Sequence, residues 1–344
     1  MSGLRDLGWD EGWQRASDAL GVVGRSGRVV RHDSVKVLVS DGESVEHVAF
    51  PRSMQLAVGD WVIVKNETVQ GLCPRRTVLE RDHEERGLQL IAANIDLVLV
   101  VFGSDRPLRQ PKVMRFVALA WDIGAKPVVI VSKADLLEDG GDHVKRITEW
   151  VPGVQVLTTS IQSGEGTDDV RAILAGKTGT FIGESGVGKS SLVNALMEDE
   201  VAWVGEVRET DAKGRHITTH RELHLIPGGG MIIDNPGVRA LGLTADGEGV
   251  EALFSDIEEL AGECRFRDCA HHAEPGCAVQ AAVKGGTIPA DRRLAYLRFI
   301  NEQGEARQRS DAKELASHFR REAAAAREAR EARDADNLRR TTDD

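Results

Sequence analysis

The chain has 344 residues, of which 41% are hydrophobic and 29% charged, and its formal net charge is -11. This composition is ordinary for a globular protein, and the length suits two or three domains. No apolar run is long enough to cross a bilayer, and no basic region followed by an apolar segment marks the N-terminus, so we expect a cytoplasmic protein that does not bind membranes. The net negative charge argues against a general nucleic-acid binder, so any RNA contact must come from local basic patches.

The N-terminal quarter of the chain has the pattern of a small β-barrel. The first 20 residues show no clear periodicity and predict a short helix or a loose tail. After them, short apolar runs at 35–39, 47–50 and 56–64 are separated by Gly/Asp turns. Several short strands of this kind predict a barrel, and the turn Gly59-Asp60 favours the OB type. A generic structural barrel is the alternative on fold alone.

The middle of the chain alternates strand and helix patterns, which predicts a mainly parallel α/β sheet. The predicted strands are 95–101, 127–131 and 154–157, and the predicted helices are 112–121, 143–150 and 168–174. From about residue 245 the chain becomes helical and ends in a charged helix. We therefore predict three domains, with boundaries at 1–86, 87–245 and 246–344.

The most specific motif is the run from Gly183 to Ser190, which fits G-x-x-x-x-G-K-[ST]. It follows a strand-like run and leads into apolar residues at helical spacing, the context in which this loop binds phosphate. The glycines let backbone N–H groups face phosphate oxygens, and the helix N-terminus adds a positive dipole end. Lys189 is predicted to reach the β- and γ-phosphates and the Ser190 hydroxyl to ligate Mg²⁺. The predicted phosphate-binding residues are Gly183, Glu184, Ser185, Gly186, Val187, Gly188, Lys189, Ser190 and Ser191.

Two predicted base-reading loops lie upstream of this phosphate loop. The tetrapeptide Ser132-Lys133-Ala134-Asp135 ends a buried-strand pattern and matches [NT]-K-x-D except at its first residue. The Asp135 carboxylate can accept hydrogen bonds from guanine N1–H and the exocyclic amine, whereas adenine offers no such donor pair. With Ser132 in place of the usual Asn, one hydrogen bond is expected to be weaker. Ser160, at the end of the next strand, falls where guanine-nucleotide domains place a second base-contacting loop.

The two switch segments are predicted downstream of the phosphate loop. The residues Asp234-Asn235-Pro236-Gly237 follow a strand and fit D-x-x-G, which adds Asp234 and Gly237 to the nucleotide site. The polar stretch 201–221 is where switch I would lie, and a Thr there can ligate Mg²⁺ and sense the γ-phosphate. Thr219 is favoured because a strand begins soon after it, and Thr218 is the alternative. Base loops that precede phosphate loops imply a circular permutation, which a compact fold with neighbouring termini tolerates.

A cysteine cluster follows in the helical C-terminal region. Cys264, Cys269, His271 and Cys277 fit C-x₄-C-x-H-x₅-C. In a reduced compartment such a cluster predicts metal binding rather than disulfides, and a Cys₃His set is a closed tetrahedral shell suited to one structural Zn²⁺ per chain. His272 competes with His271 as the fourth ligand. Three reduced, buried cysteines without a metal are the alternative.

Taken together, these features resemble the ribosome small-subunit-dependent GTPase A family of circularly permuted bacterial GTPases. The resemblance covers nearly the whole chain and rests on the permuted order, on the run Gly214-Arg215-His216-Ile217-Thr218-Thr219, on Asp234-Asn235-Pro236-Gly237-Val238-Arg239 and on the Cys₃His spacing. The chain departs from the family pattern at Ser132, Ile217 and Asn235. The resemblance implies a multidomain α/β protein with an N-terminal OB-type β-barrel, a circularly permuted P-loop GTPase domain and a C-terminal helical zinc-binding domain.

The resemblance also implies GTP hydrolysis stimulated by the 30S small ribosomal subunit during its late maturation. Val238 occupies the position of the water-orienting Gln of Ras-like enzymes and cannot hydrogen-bond a water. In the family a switch I histidine is proposed instead, and it corresponds to His216. The implied catalytic residues are His216, Thr219 and Lys189, with Mg²⁺ and GTP/GDP as ligands. The 30S subunit and its 16S rRNA are the implied partners of a monomer. A ribosome-binding module with a passive nucleotide and a P-loop ATPase or kinase remain alternatives.

Overall fold

The computed structural model describes residues 3–33, 35–83, 87–137, 141–197, 221–234 and 248–308, together with residues 311, 312 and 315. The chain forms two compact units: Met1–Gly242 with Glu248–Glu258, and Leu243–Gly247 with Glu259–Asp344. Among the described residues no helix is long and apolar enough to span a bilayer. The three-domain division drawn from the sequence remains a prediction.

Five short strands near the N-terminus close into a barrel. Two helices precede them, α1 (Gly3–Asp6) and α2 (Glu11–Ala19), and the strands are β1 (Arg25–His32), β2 (Lys36–Ser40), β3 (Val45–Ala49), β4 (Trp61–Lys65) and β5 (Thr68–Leu72). The ring closes in the order β1-β2-β3-β5-β4-β1, with β3 and β5 parallel and the other pairs antiparallel. Alternate valines of these strands fill its interior, including Val29, Val39 and Val62. The predicted OB-type barrel is confirmed.

The Gly59-Asp60 turn that suggested this barrel has a structural role. The Asp60 side chain is fully buried, accepts a hydrogen bond from Ala57 N at 2.7 Å and forms an ion pair with Arg75 Nε at 2.7 Å. Gly59 has φ 95°, and a Cβ there would overlap with the Ala93 carbonyl. Only glycine fits this position, and the buried carboxylate fixes the turn at the start of β4.

The α/β part of the first unit contains the remaining strands. A hairpin of β6 (Val78–His83) and β7 (Gly87–Ala93) comes first, and the predicted domain boundary at residue 86 runs between its two strands. The next elements are β8 (Leu97–Gly103), α3 (Gln110–Asp122), β9 (Lys126–Ser132), a 3₁₀ turn (Ala134–Leu136), α4 (Gly141–Trp150), β10 (Gln155–Thr159), α5 (Thr167–Leu174), β11 (Thr178–Gly183), α6 (Lys189–Met197), β12 (Glu222–Ile226) and β13 (Gly230–Asp234). The predicted elements exist, with ends that differ by a few residues.

Strands β8 to β13 lie in the order β10-β9-β8-β11-β13-β12, and β12 pairs in turn with β1 of the barrel, whereas β6 and β7 form a separate two-stranded sheet. The first five strands of that order are parallel, and β12 is antiparallel to β13. All seven residues of β8 are buried, as expected for a parallel strand covered on both faces. Because parallel strands end at the same edge, the loops after β8, β9, β10 and β11 lie side by side, and β13 ends at that edge too.

The last elements are helical: α7 (Gly249–Leu253), α8 (Ser255–Ala261), α9 (Ala278–Lys284) and α10 over residues 290–308. Helix α7 packs on α3 in the first unit: Gly249 N donates to Asp122 Oδ1 at 2.6 Å. A Cβ on Gly249 would overlap with the Ala118 carbonyl, so glycine permits this close packing. In the second unit, α9 begins at the third cysteine of the C-terminal cluster.

A buried arginine joins three parts of the first unit. Arg28, on β1, is only 2% exposed. Its guanidinium donates to the carbonyls of Leu7 at 2.6 Å, Asn94 at 3.1 Å and Gly59 at 3.3 Å, and it lies 5.2 Å from the centre of the Trp61 ring. Burial lowers the pKa of Arg28 to about 10, opposed by Asp96 and Asp60, so the side chain stays charged at neutral pH.

We expect Arg28→Met to destabilise the first unit by about 2–4 kcal/mol, because methionine keeps much of the volume but removes the donors to the buried carbonyls of Leu7 and Asn94. The Gly59 carbonyl keeps its hydrogen bond from Asn94 Nδ2. Arg5→Met, at an exposed position of α1, should change stability by less than about 0.5 kcal/mol. Urea unfolding followed by tryptophan fluorescence measures both, since Trp61 adjoins Arg28. Equal midpoints for the two variants would contradict the assigned role.

Candidate nucleotide-binding site and metal centre

The predicted phosphate loop connects β11 to α6 at the shared edge of the sheet. Gly183, Gly186 and Gly188 have φ values of 146°, 79° and 93°, a region that favours glycine. A Cβ on Gly183 would also overlap with the Val101 carbonyl of the neighbouring strand. The backbone of this loop therefore needs glycine at these positions, and it curves onto the N-terminus of a nine-residue helix. Such a curve presents N–H groups to an anion.

Lys189 lies inside the curve of the phosphate loop. Its Nζ donates to the carbonyl oxygens of Gly183 at 2.8 Å and Glu184 at 2.6 Å. Ser190 and Ser191 follow in the first turn of α6. The ammonium group is thus held where a phosphate on the loop would meet it, and the Ser190 hydroxyl sits at the helix N-terminus.

The base loop after β9 contacts the phosphate loop directly. Lys133 adopts the left-handed conformation, with φ 60°, and its Nζ donates to Asp105 Oδ2 at 2.7 Å and to Gly186 O at 2.8 Å. Ser132 is 5% exposed, and its Oγ lies 3.1 Å from Phe102 O and 2.5 Å from Val187 O. Two successive residues therefore join the base loop to the phosphate loop, although 50 or more residues separate them in the chain.

Asp135 and Ser160 are brought together, as their proposed roles require. Ser160 Oγ donates to Asp135 Oδ1 at 2.5 Å, and Ser163 N donates back to Ser160 Oγ at 3.3 Å. Ser160 is fully buried, whereas Asp135 is exposed in the 3₁₀ turn that also contains Ala134. The buried hydroxyl orients one carboxylate oxygen and leaves the other available to a ligand.

Sequence reasoning missed a set of charged residues after β8. Asp105 binds Lys133, Arg106 Nη1 donates to Ser185 O at 3.2 Å, and Lys112 forms an ion pair with Glu184. The hydrogen bond from Lys112 lowers the pKa of Glu184, and the hydrogen bond from Lys133 lowers that of Asp105. The sequence places them after the end of a strand, but it does not show that this strand lies next to β11, so it does not indicate which loop they contact.

The remaining predicted nucleotide residues divide between described and undescribed segments. Asp234 ends β13, and Thr180 Oγ1 of the adjacent strand β11 donates to Ile233 O at 3.0 Å, so Asp234 lies at the same edge as the phosphate loop. His216, Thr219 and Gly237 lie outside the described residues, as does Thr218. Their roles remain predictions.

The four predicted metal ligands come together in the second unit. The ligand atoms of Cys264, Cys269, His271 and Cys277 all lie within 4.8 Å of one another. His271 Nδ1 is 3.6 Å from Cys264 Sγ and 3.5 Å from Cys277 Sγ, and these two sulfurs are 3.9 Å apart. Tetrahedral zinc with sulfur at ~2.3 Å and nitrogen at ~2.1 Å separates its ligands by about 3.6–3.8 Å. The cluster therefore fits a zinc ion.

The backbone around this cluster selects His271 over His272. His271 is buried with φ 58°, and Arg293 Nη1 donates to its carbonyl at 2.7 Å, whereas His272 is exposed. The Glu274 carboxylate accepts from the backbone N of Ala270 and His272, at 3.2 and 2.8 Å. These bonds hold the loop in the shape that gathers the ligands, as outer-shell groups do at structural zinc sites.

Comparison with known proteins identifies the family. Residues 72–244 match the family model described as RsgA GTPase. The chain belongs to this family. It is 38% identical to a small ribosomal subunit biogenesis GTPase RsgA from Streptomyces coelicolor, over 96% of each chain, and 40% identical to one from Streptomyces avermitilis, over 96% of this chain and 94% of the relative.

Two solved structures share the fold. The crystal structure of YjeQ from Thermotoga maritima has a TM-score of 0.62 and 28% identity, and covers 81% of this chain and 98% of that one. YloQ, described as a circularly permuted GTPase, has a TM-score of 0.60 and 26% identity, and the match covers 83% of this chain and 95% of that one. The predicted family and the permuted order are thereby confirmed.

Proposed function

We propose that this protein hydrolyses GTP and couples hydrolysis to maturation of the small ribosomal subunit. One observation carries the proposal: in an RsgA-family chain, Lys133 of the base loop contacts Gly186 of the phosphate loop. This contact supports a single nucleotide site formed by the predicted guanine-reading loop and the predicted phosphate loop. The curated relatives are named small ribosomal subunit biogenesis GTPases, which supplies the biological process.

The residues of the proposed site have different roles. Asp135, oriented by Ser160, accepts the guanine donors, and the loop amides and Lys189 hold the phosphates. Ser190 and Thr219 ligate Mg²⁺, which neutralises charge on the β- and γ-phosphates when bound. His216 orients the attacking water, since Val238 has no hydrogen-bonding side chain. Asp234 and Gly237 belong to the second switch.

The partners are the 30S subunit and its 16S rRNA, bound in the cytoplasm by a monomer that does not attach to membranes. The OB-type barrel, switch I and the zinc-binding loop supply the RNA contacts. In that loop Arg265 and Arg267 are exposed, and the Arg265 guanidinium lies 5.4 Å from the ring centre of half-exposed Phe266. A stacked guanidinium and an aromatic ring suit RNA bases and phosphates. One zinc ion per chain shapes this surface.

We expect the GTP-bound protein to sediment with 30S subunits more strongly than the GDP-bound protein. The binding to the subunit should weaken as the salt concentration rises. His216→Ala should keep this GTP-dependent binding but lose most of the subunit-stimulated turnover, because the water is no longer oriented. His143→Ala, on α4, is the matched control and should behave as wild type. Undiminished stimulation of the His216 variant would refute its role, and equal sedimentation in GTP and GDP would refute the coupling.

A further inference from the structure

The Ser132 hydroxyl at the end of β9 uses its single proton in a hydrogen bond within the protein. The side chain is 5% exposed, and Oγ lies 3.1 Å from Phe102 O and 2.5 Å from Val187 O. Both neighbours are carbonyl oxygens, which only accept. A hydroxyl has one donor proton, so donation to either carbonyl leaves Oγ with lone pairs alone.

This internal hydrogen bond leaves residue 132 without a donor for a guanine base. Guanine presents N7 and O6 as acceptors on one edge, and N1–H and the exocyclic amine as donors on another. An Asn, usual at this position in guanine-nucleotide domains, carries two amide donors, so it can serve a protein carbonyl and a base acceptor together. Ser132 has no second donor, whereas Asp135 and its support from Ser160 are intact.

We infer that residue 132 makes no hydrogen bond to guanine N7, so that the N1–H and amine edge read by Asp135 carries the recognition of the base by this loop. The inference deepens the proposed GTP site and rests on it. Ser132 is then a positioning residue that ties β9 to the phosphate loop. Nucleotides of 7-deazaguanine, in which a C–H group replaces N7, should bind as well as those of guanine.

The test is equilibrium displacement of a fluorescent GDP analogue from the full chain by GDP, 7-deaza-GDP, IDP and ADP. We expect GDP and 7-deaza-GDP to agree within about twofold, and IDP, which lacks the exocyclic amine, to bind about tenfold or more weakly. A tenfold loss for 7-deaza-GDP overturns the inference and leaves the proposed function standing. Equal displacement by GDP, IDP and ADP overturns the proposed function and this inference with it.

Two substitutions at position 132 test directly whether its side chain contacts N7. Ser132→Asn adds donors and should tighten GDP binding by about 3–10-fold without tightening 7-deaza-GDP binding. The variant should therefore prefer GDP to 7-deaza-GDP, whereas the wild type should bind the two alike. Ser132→Ala removes the contacts of the hydroxyl with Phe102 O and Val187 O and should weaken both nucleotides equally. If Ser132→Ala weakens GDP and spares 7-deaza-GDP, the hydroxyl does reach N7 and the inference is wrong.

Discussion

Replacing Asp135 by Asn should turn nucleotide preference from guanine toward xanthine. The carboxylate accepts from two base donors, and each charge-assisted bond contributes about 1.5–3 kcal/mol. We therefore expect GTP affinity to fall by about 10²–10⁴-fold, while XTP, which presents a carbonyl in place of the amine, gains affinity. Displacement of a fluorescent nucleotide by GTP and XTP measures both changes.

The control for this variant is Asp168→Asn, which removes an exposed carboxylate from α5. That carboxylate pairs with Arg171 and lies outside the base loops, so the control should bind GTP as wild type does. Unchanged GTP affinity in the Asp135 variant would remove Asp135 from the site.

The second large effect concerns zinc. His271→Ala should reduce bound zinc from about one per chain to a small fraction, because three thiolates no longer close the tetrahedral shell. The free energy of metal binding at such a site stabilises the folded form of its segment. Without the metal, the loop from Cys264 to Cys277 should therefore become sensitive to protease. Elemental analysis and limited proteolysis are the measurements, and GTP binding by the first unit should be retained.

His272→Ala is the matched control, since it alters the adjacent exposed histidine. It should keep the zinc and the protease resistance of the wild type. Loss of zinc from the His272 variant, with zinc retained by the His271 variant, would reverse the ligand assignment. Wild-type protein with well under one zinc per chain would show that the cluster is a set of reduced cysteines.

Local motifs were predictable because their geometry lies within a short stretch of chain. The strand, glycine loop and helix around Lys189 are contiguous, so residue spacing alone identifies them. The cysteine spacing identified the metal centre for the same reason. The choice between His271 and His272 required the structure: the left-handed backbone at His271 accompanies the burial of its ring among the sulfurs, and this conformation is rare for residues other than glycine.

Contacts that depend on sheet order were not predictable. Arg106 and Lys112 reach the phosphate loop because β8 pairs with β11, and the two segments are more than 70 residues apart in the chain. No motif marks them. Strand β5 was also missed, since Gln70 and Gly71 interrupt its apolar pattern and its pairing partners decide its conformation.

The role assigned to Ser132 likewise came from packing. Its replacement of Asn suggested a weakened hydrogen bond to the base, yet the structure shows an oxygen engaged with Phe102 and Val187. Sequence reasoning could detect the departure at this position but could not show where the hydroxyl points.

The most direct test of a subunit-coupled GTPase is steady-state hydrolysis of GTP and ATP by the full chain, alone and with purified 30S or 50S subunits. We predict slow GTP hydrolysis by the protein alone, an increase with 30S subunits toward the ~10³–10⁵-fold range that partner-supplied positioning provides, and little change with 50S subunits. ATP should remain a poor substrate throughout. A GTP rate that 30S subunits leave unchanged would indicate a passive nucleotide, and equal hydrolysis of ATP would indicate an ATPase; either result would contradict the account.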